Sequence, residues 1–244
     1  MNIGKIKAKL RTADYYVIIT YALIIIADLI LASKIESPTF NFLKILLELL
    51  IFFLLINFDD RDKPILSALR NLYYMGIVLF VYDQAQILIA IVNPIDYDDI
   101  LMNWDLTILG NDVSAIFYKI ANPYLTEYMQ IAYTSFYLWF IIIGIEFYKR
   151  QKENFDIYAR NVIFGFFLSF FLYFFMPAIG PRLALYDFTK LNAELPGLYL
   201  TNYLRNIVNQ GGGITSSFLS PSLLANRDCM PSGHTMMSVI NIDR

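Results

Sequence analysis

The run from Tyr15 to Ser33 is apolar almost throughout and close to the ~20 residues that a helix needs to cross a bilayer. Four further runs share this character: Phe42 to Phe58, Leu69 to Val92, Tyr124 to Phe147 and Ile157 to Met176. Few folds are open to such a chain, because in lipid each backbone amide must be satisfied within its own helix or a closed barrel. The expected fold is all-α, a polytopic membrane helix bundle with five full transmembrane helices. Composition agrees: 57% of the 244 residues are hydrophobic and only 16% charged, too little charge for the surface of a soluble domain this large. The first run lacks a small-residue cleavage site and is expected to remain as a span.

Polar residues inside the spans are costly in lipid and therefore informative. Asp28 is expected to face protein, Lys44 to snorkel from near one end of its helix, and Glu48 to sit deeper. Asp83, Gln84 and Gln86 fall in the third run. Nothing nearby completes a site around them, so helix–helix contacts are the expectation, ahead of a functional cavity. Between the third and fourth runs, residues 93–123 are too polar to span. Asp96, Asp98, Asp99, Asp105 and Asp112 lie there, yet Val113, Ile116, Phe117 and Ile120 recur at helical spacing, with Leu101 and Trp104 nearby. One or two interfacial amphipathic helices are predicted. Residues 177–230 read as a long re-entrant or surface loop, with Gly211-Gly212-Gly213 as a flexible point. The expected division is 1–94 as N-terminal transmembrane helices and 95–244 as the membrane domain that carries the chemistry.

Basic residues set the orientation. The N-terminal tail (Lys5, Lys7, Lys9, Arg11), the 59–70 turn and the 147–160 turn hold eleven Lys and Arg between them. The alternate loops are longer and hold fewer. By the positive-inside rule the N-terminus is cytoplasmic, and five crossings put residues 177–230 on the outer face of a plasma or inner membrane. No basic run has the density that nucleic acid requires, and no nucleic-acid partner is expected. The lone Cys229 excludes an internal disulfide and a cysteine metal cluster.

The chemistry gathers near residue 234. His234 is the only histidine, and it follows Pro231-Ser232-Gly233, a stretch suited to a loop turning into a helix. Amide groups at such a helix start, with the helix dipole, cradle an anion. A rigid turn, Pro177-Ala178-Ile179-Gly180-Pro181-Arg182, ends in a guanidinium, whose fork matches phosphate oxygens. By chance a Pro-Ser-Gly-His tetrapeptide is expected in roughly one chain in a thousand of this length. The apolar helix begun at Thr235 reaches only Ile242, about two turns, and reads as the cut-off start of a sixth span.

Together the two segments resemble the type 2 phosphatidic acid phosphatase superfamily of membrane lipid-phosphate phosphatases and phosphotransferases. Pro231-Ser232-Gly233-His234 matches that family's second motif in full. Phe175 stands where the first motif often has a lysine. The form with Tyr173, Pro177 and Gly180-Pro181-Arg182 is similar to the branch that includes fungal inositol phosphorylceramide synthase. Asp105 to Gly110, Pro123 to Glu127 and Tyr133 to Tyr137 also resemble that branch, and the likeness covers about residues 95–242.

The resemblance implies that Arg182 and the backbone at Ser232 and Gly233 bind phosphate, and that His234 protonates the leaving alcohol. It implies no metal and no cofactor, and a membrane lipid phosphate or phospholipid as substrate. The nucleophile of the family is a histidine in a third motif, and residues 1–244 contain no second histidine. The expectation is a fragment or frameshifted reading that is inactive as it stands. Two other readings remain: a non-catalytic membrane scaffold that binds phosphate or lipid, and a small transporter using Asp28, Asp83 and Gln86.

Overall fold

The computed structural model describes residues 9–56, 64–150, 152–214 and 220–242. The helices in chain order are α1 (Thr12–Leu31), α2 (Pro38–Ile56), α3 (Pro64–Leu72), α4 (Tyr74–Val92), α5 (Asp98–Leu109), α6 (Val113–Tyr118) and α7 (Pro123–Arg150). They continue with α8 (Lys152–Tyr173), α9 (Pro181–Ala184), α10 (Leu191–Glu194), α11 (Thr201–Gly211), α12 (Pro221–Leu224) and α13 (Gly233–Ile242). No strand occurs among the described residues. Lys5, Lys7, the expected turn Asp59 to Lys63, and Asp243-Arg244 lie outside them.

Four helical segments are long and apolar enough to cross a membrane: α1, α2, α4 and Asn154–Tyr173 of α8. The protein is therefore an integral membrane protein. The two halves of α7, Pro123–Phe136 and Leu138–Arg150, pass the same test only as a bent pair, giving up to five spans. Glu127, Gln130, Thr134 and Ser135 make its first half the more polar one. The third span begins at Tyr74, because the helix expected from Leu69 is interrupted for one residue at Tyr73. Its leading part is the separate α3, which starts at Pro64 as a helix-start proline should.

The chain divides into two compact units. The first comprises residues 1–94, 140–174 and 233–244. Its hub is α8, which packs against α1, α4 and α13. Val17, Tyr21, Ile45, Phe52, Val81, Ile89, Val162 and Ile163 are buried in its core. Asp28, Glu48 and Asp83 join helices, as their cost in lipid demands, whereas Gln84 is buried with neither side-chain amide atom hydrogen-bonded among the described residues. Asn41 donates to Asp28 at 2.6 Å and Tyr21 to Glu48 at 3.0 Å, linking α1 to α2. Lys44 does not simply snorkel; it pairs with Asp83 of α4. Each such bond contributes about 0.6 kcal/mol within a bilayer.

The second unit comprises residues 95–139 and 175–232. The helices expected in 93–123 are α5 and α6. Asp112 caps α6, its carboxylate accepting from the amides of Ser114 and Ala115 at 2.8 and 3.2 Å. Residues 177–230 contain α9 to α12, of which α11 is a three-turn helix. Its inward face is Thr201, Arg205 and Val208, so apolar periodicity does not mark it. Arg205 is satisfied by Asn192 Oδ1 at 2.7 Å and the Leu195 carbonyl at 2.8 Å. Glu127 fixes the other end of the loop, accepting from the amides of Leu198 to Thr201 at 2.6–3.3 Å. The glycine triplet forms a hydrogen-bonded turn, in which Gly212 accepts from the Asn226 amide at 2.9 Å.

Candidate functional site

In the second unit the turn that presents Arg182 is held from three sides. Tyr97 donates its amide to the Pro177 carbonyl at 2.8 Å. The next residue, Asp98, accepts the amides of Ile179 and Gly180 at 3.0 and 2.7 Å. Gly180 has φ 91° and ψ 157°, a region that only glycine adopts readily, and this bend starts the short helix α9 at Pro181. Arg182 Nη1 donates to Asn209 Oδ1 at 3.2 Å, and the guanidinium lies 5.6 Å from the Phe188 ring centroid. No carboxylate among the described residues pairs with it. The guanidinium is thus held by an amide oxygen and an aromatic face.

The segment leading into the second motif runs beside this turn. Cys229 donates its amide to the Ala178 carbonyl at 3.1 Å. A Cβ on Gly180 would lie 3.2 Å from Cys229 Sγ, so the two segments touch there. Arg227 is bidentate to Asp96, Nε to Oδ1 at 2.7 Å and Nη2 to Oδ2 at 3.2 Å. Asp96 and Asp98 thus hold the second-motif arm and the first-motif turn from one short stretch of chain. Burial pushes the Cys229 thiol up to about 11, with the charges of Asp98, Asp228 and Asp105 adding to it and Arg182 opposing.

Gly233 and His234 belong to the first unit, where α13 lies antiparallel to α8. Gly233 sits by Tyr173, whose hydroxyl is 3.5 Å from where a Cβ would be. In the middle, a Cβ on Gly165 would meet Met236 Sδ at 2.4 Å and Ile240 Cδ1 at 3.0 Å. At the far end the buried Tyr158 hydroxyl donates to Asn241 Oδ1 at 3.0 Å. The start of α13 at Gly233 therefore lies at the Tyr173 end of α8. His234 is half-buried one residue into α13, and desolvation holds its imidazole below the ordinary value.

Of the four residues singled out from sequence, Arg182 and Ser232 lie in the second unit, Gly233 and His234 in the first. Within the second unit the Arg182 turn and the arm ending at Ser232 are hydrogen-bonded neighbours. Sequence reasoning missed Asp96, Asp98 and Asn209 as supports. The two aspartates sit in an acidic run that reads as solvated surface, and no spacing rule connects Asp98 to a turn 82 residues away.

Comparison with known families gives one match. The family model described as the PAP2 superfamily matches residues 101–242, more than half of the chain. No curated protein and no solved structure matches the chain.

Proposed function

The chain belongs to the PAP2 superfamily, and on that premise we propose that residues 95–244 carry the phosphate-binding and acid groups of a membrane lipid-phosphate phosphatase or phosphotransferase. The supporting observation is the pairing of the two motif segments. The Cys229 amide lies on the Ala178 carbonyl, with Arg182 four residues beyond one partner and Ser232 three beyond the other.

In the proposed chemistry, Arg182 and the amides at Ser232 and Gly233 take the non-bridging phosphate oxygens, where charge builds in the transition state. A histidine nitrogen attacks phosphorus. As the N–P bond forms, the P–O bond to the lipid alcohol breaks and His234 gives its proton to the departing oxygen. Water, or a second alcohol, then attacks the phosphohistidine and returns a proton to His234. Residues 1–244 hold one histidine, so this reading takes the nucleophile from a third motif on a further segment. Tyr173, Gly180-Pro181-Arg182 and the 105–137 stretch support the finer assignment to the inositol phosphorylceramide synthase-like branch, with transfer to an alcohol acceptor. The proposed topology has a cytoplasmic N-terminus, five spans with a sixth begun at α13, and the motifs facing outward.

The test compares the 244-residue chain with one extended by the sequence that follows residue 244 at the same locus. The short chain is expected to hydrolyse no lipid phosphate, and the extended chain to turn over. In the extended protein Arg182→Ala lowers the chemical step by on the order of a hundredfold. His234→Ala slows alkyl phosphates far more than p-nitrophenyl phosphate, whose leaving group departs without a proton. Robust turnover by the 244-residue chain that survives His234→Ala sinks the proposal.

A further inference from the structure

At the other end of α8 from the motif, the first unit contains a polar cavity of about 300 Å³. It is lined by Arg11, Asp14, Asn71, Tyr73, Asp156 and Arg160, among others. Asp14 on its wall is paired behind the lining with Arg70, and both side chains are inaccessible to solvent. Asp14 also accepts from the Tyr73 hydroxyl at 2.6 Å and the Arg11 amide at 2.7 Å, so its charge is fully compensated. Arg11 Nη1 bonds Asn71 Oδ1 at 2.7 Å and Asp156 Oδ1 at 3.2 Å. That leaves Arg160, half-buried on the cavity wall, with no partner among the described residues. Among the described residues three guanidiniums meet two carboxylates, and the surplus positive charge is the one on Arg160.

Arg160 also heads a stripe. Phe164, Leu168 and Phe171 follow it at i+4, i+8 and i+11, on one face of α8, and are 52%, 43% and 56% exposed. Tyr16 of α1 closes against Phe164 with ring centroids 5.6 Å apart, directly below the cavity. Arg160 lies about 9 Å from the start of the candidate span at Asn154, a depth that a headgroup phosphate reaches.

We propose that this cavity binds the phosphate of an anionic phospholipid headgroup through Arg160, with an acyl chain laid along Phe164, Leu168 and Phe171. The site is independent of the proposed catalytic groups. A free phosphate ion offers the same head chemistry without the tail, and the stripe decides for the lipid.

The test uses the 244-residue protein extracted from nanodiscs of equimolar phosphatidylglycerol and phosphatidylcholine with matched acyl chains, and native mass spectrometry of the lipid that stays bound. Wild type is expected to retain phosphatidylglycerol preferentially. Arg160→Gln reduces that preference on the order of tenfold, the worth of a charge-assisted hydrogen bond, and Arg160→Lys restores part of it. Asp156→Asn, at an exposed carboxylate, raises it. Excess inorganic phosphate leaves the wild-type preference in place; if it abolishes it, the ligand is a phosphate ion and the lipid assignment fails. Equal retention of both lipids by wild type, or a preference that survives Arg160→Gln, overturns the proposal. So does a preference lost in Arg182→Gln and kept in Arg160→Gln.

Discussion

Asp98 accepts the amide of Gly180 at 2.7 Å across 82 positions of sequence, and with the same carboxylate accepts the amide of Ile179. One side chain at the start of α5 thus fixes the backbone that aims Arg182. Asp98→Ala removes the acceptor from two amides at once. Each buried amide left without a partner costs about 1–3 kcal/mol. The expected result is a lower melting temperature in detergent and weaker vanadate binding. Asp98→Asn falls between, because its single carbonyl oxygen replaces two carboxylate oxygens. Identical melting and vanadate affinity in all three proteins would contradict this role.

Gly180 is bound to be glycine for two reasons that add. Its φ of 91° is unfavourable for any residue with a Cβ, at about 1–3 kcal/mol. A Cβ there also presses on Cys229 Sγ at 3.2 Å. Gly180→Ala is expected to destabilise the protein measurably, and Cys229→Ala in the same chain to recover only the steric part. Full recovery in the double variant, read from thermal melts, would show that the backbone conformation carries no cost.

The thiol of Cys229 gives a pH test. With its pKa raised to about 11, only roughly one molecule in a thousand is thiolate at pH 8. Alkylation of the native protein is expected on the order of a hundredfold slower than that of the unfolded chain, rising with pH until about 11. The sign for stability follows from the folded protein binding this proton more tightly than the unfolded chain. The contribution is complete below the unfolded value near 9 and is lost as pH rises through about 11. Rapid alkylation of folded protein at pH 8 would refute the buried setting.

Much of this was legible in the sequence, and the part that was not has physical causes. The apolar runs mark α1, α2, α4 and α8 because lipid demands an unbroken apolar helix. The helix at 113–118 shows in the spacing of Val113, Ile116 and Phe117, and Leu101 and Trp104 hint at its neighbour at 98–109. By contrast α11 buries Thr201 and Arg205, and the break at Tyr73 leaves no composition signal. In the site, Arg182 and the 231–234 stretch stand out by residue type. Their supports do not: Asp96, Asp98 and Asn209 act through partners that only the folded chain brings near.

Tyr158 and Asn241 test the docking of the helix that bears His234. Tyr158→Phe removes the 3.0 Å bond to Asn241 and a 3.2 Å bond to the Phe140 carbonyl. A loss of about 1–2 kcal/mol is expected. A double-mutant cycle with Asn241→Ala assigns the shared part, and a coupling energy of zero would mean the pair does not hold α13 to α8.

The proposed topology is checked by impermeant thiol labelling in a Cys229→Ala background, with single cysteines at Asn103 and Lys152. Asn103→Cys is expected to react from outside and Lys152→Cys only after permeabilisation. The reverse pattern inverts the orientation.

The tether from Asp96 to Asp98 has a consequence for anyone recombining this protein with a relative. Arg227 and the Gly180 turn are both fastened to that one short stretch. The three segments therefore form a single transplantable module, although they are far apart in the gene. A chimera that imports the 177–182 and 227–232 segments alone receives two lock halves without their shared key, whereas one that carries 96–98 with them keeps the geometry it borrowed.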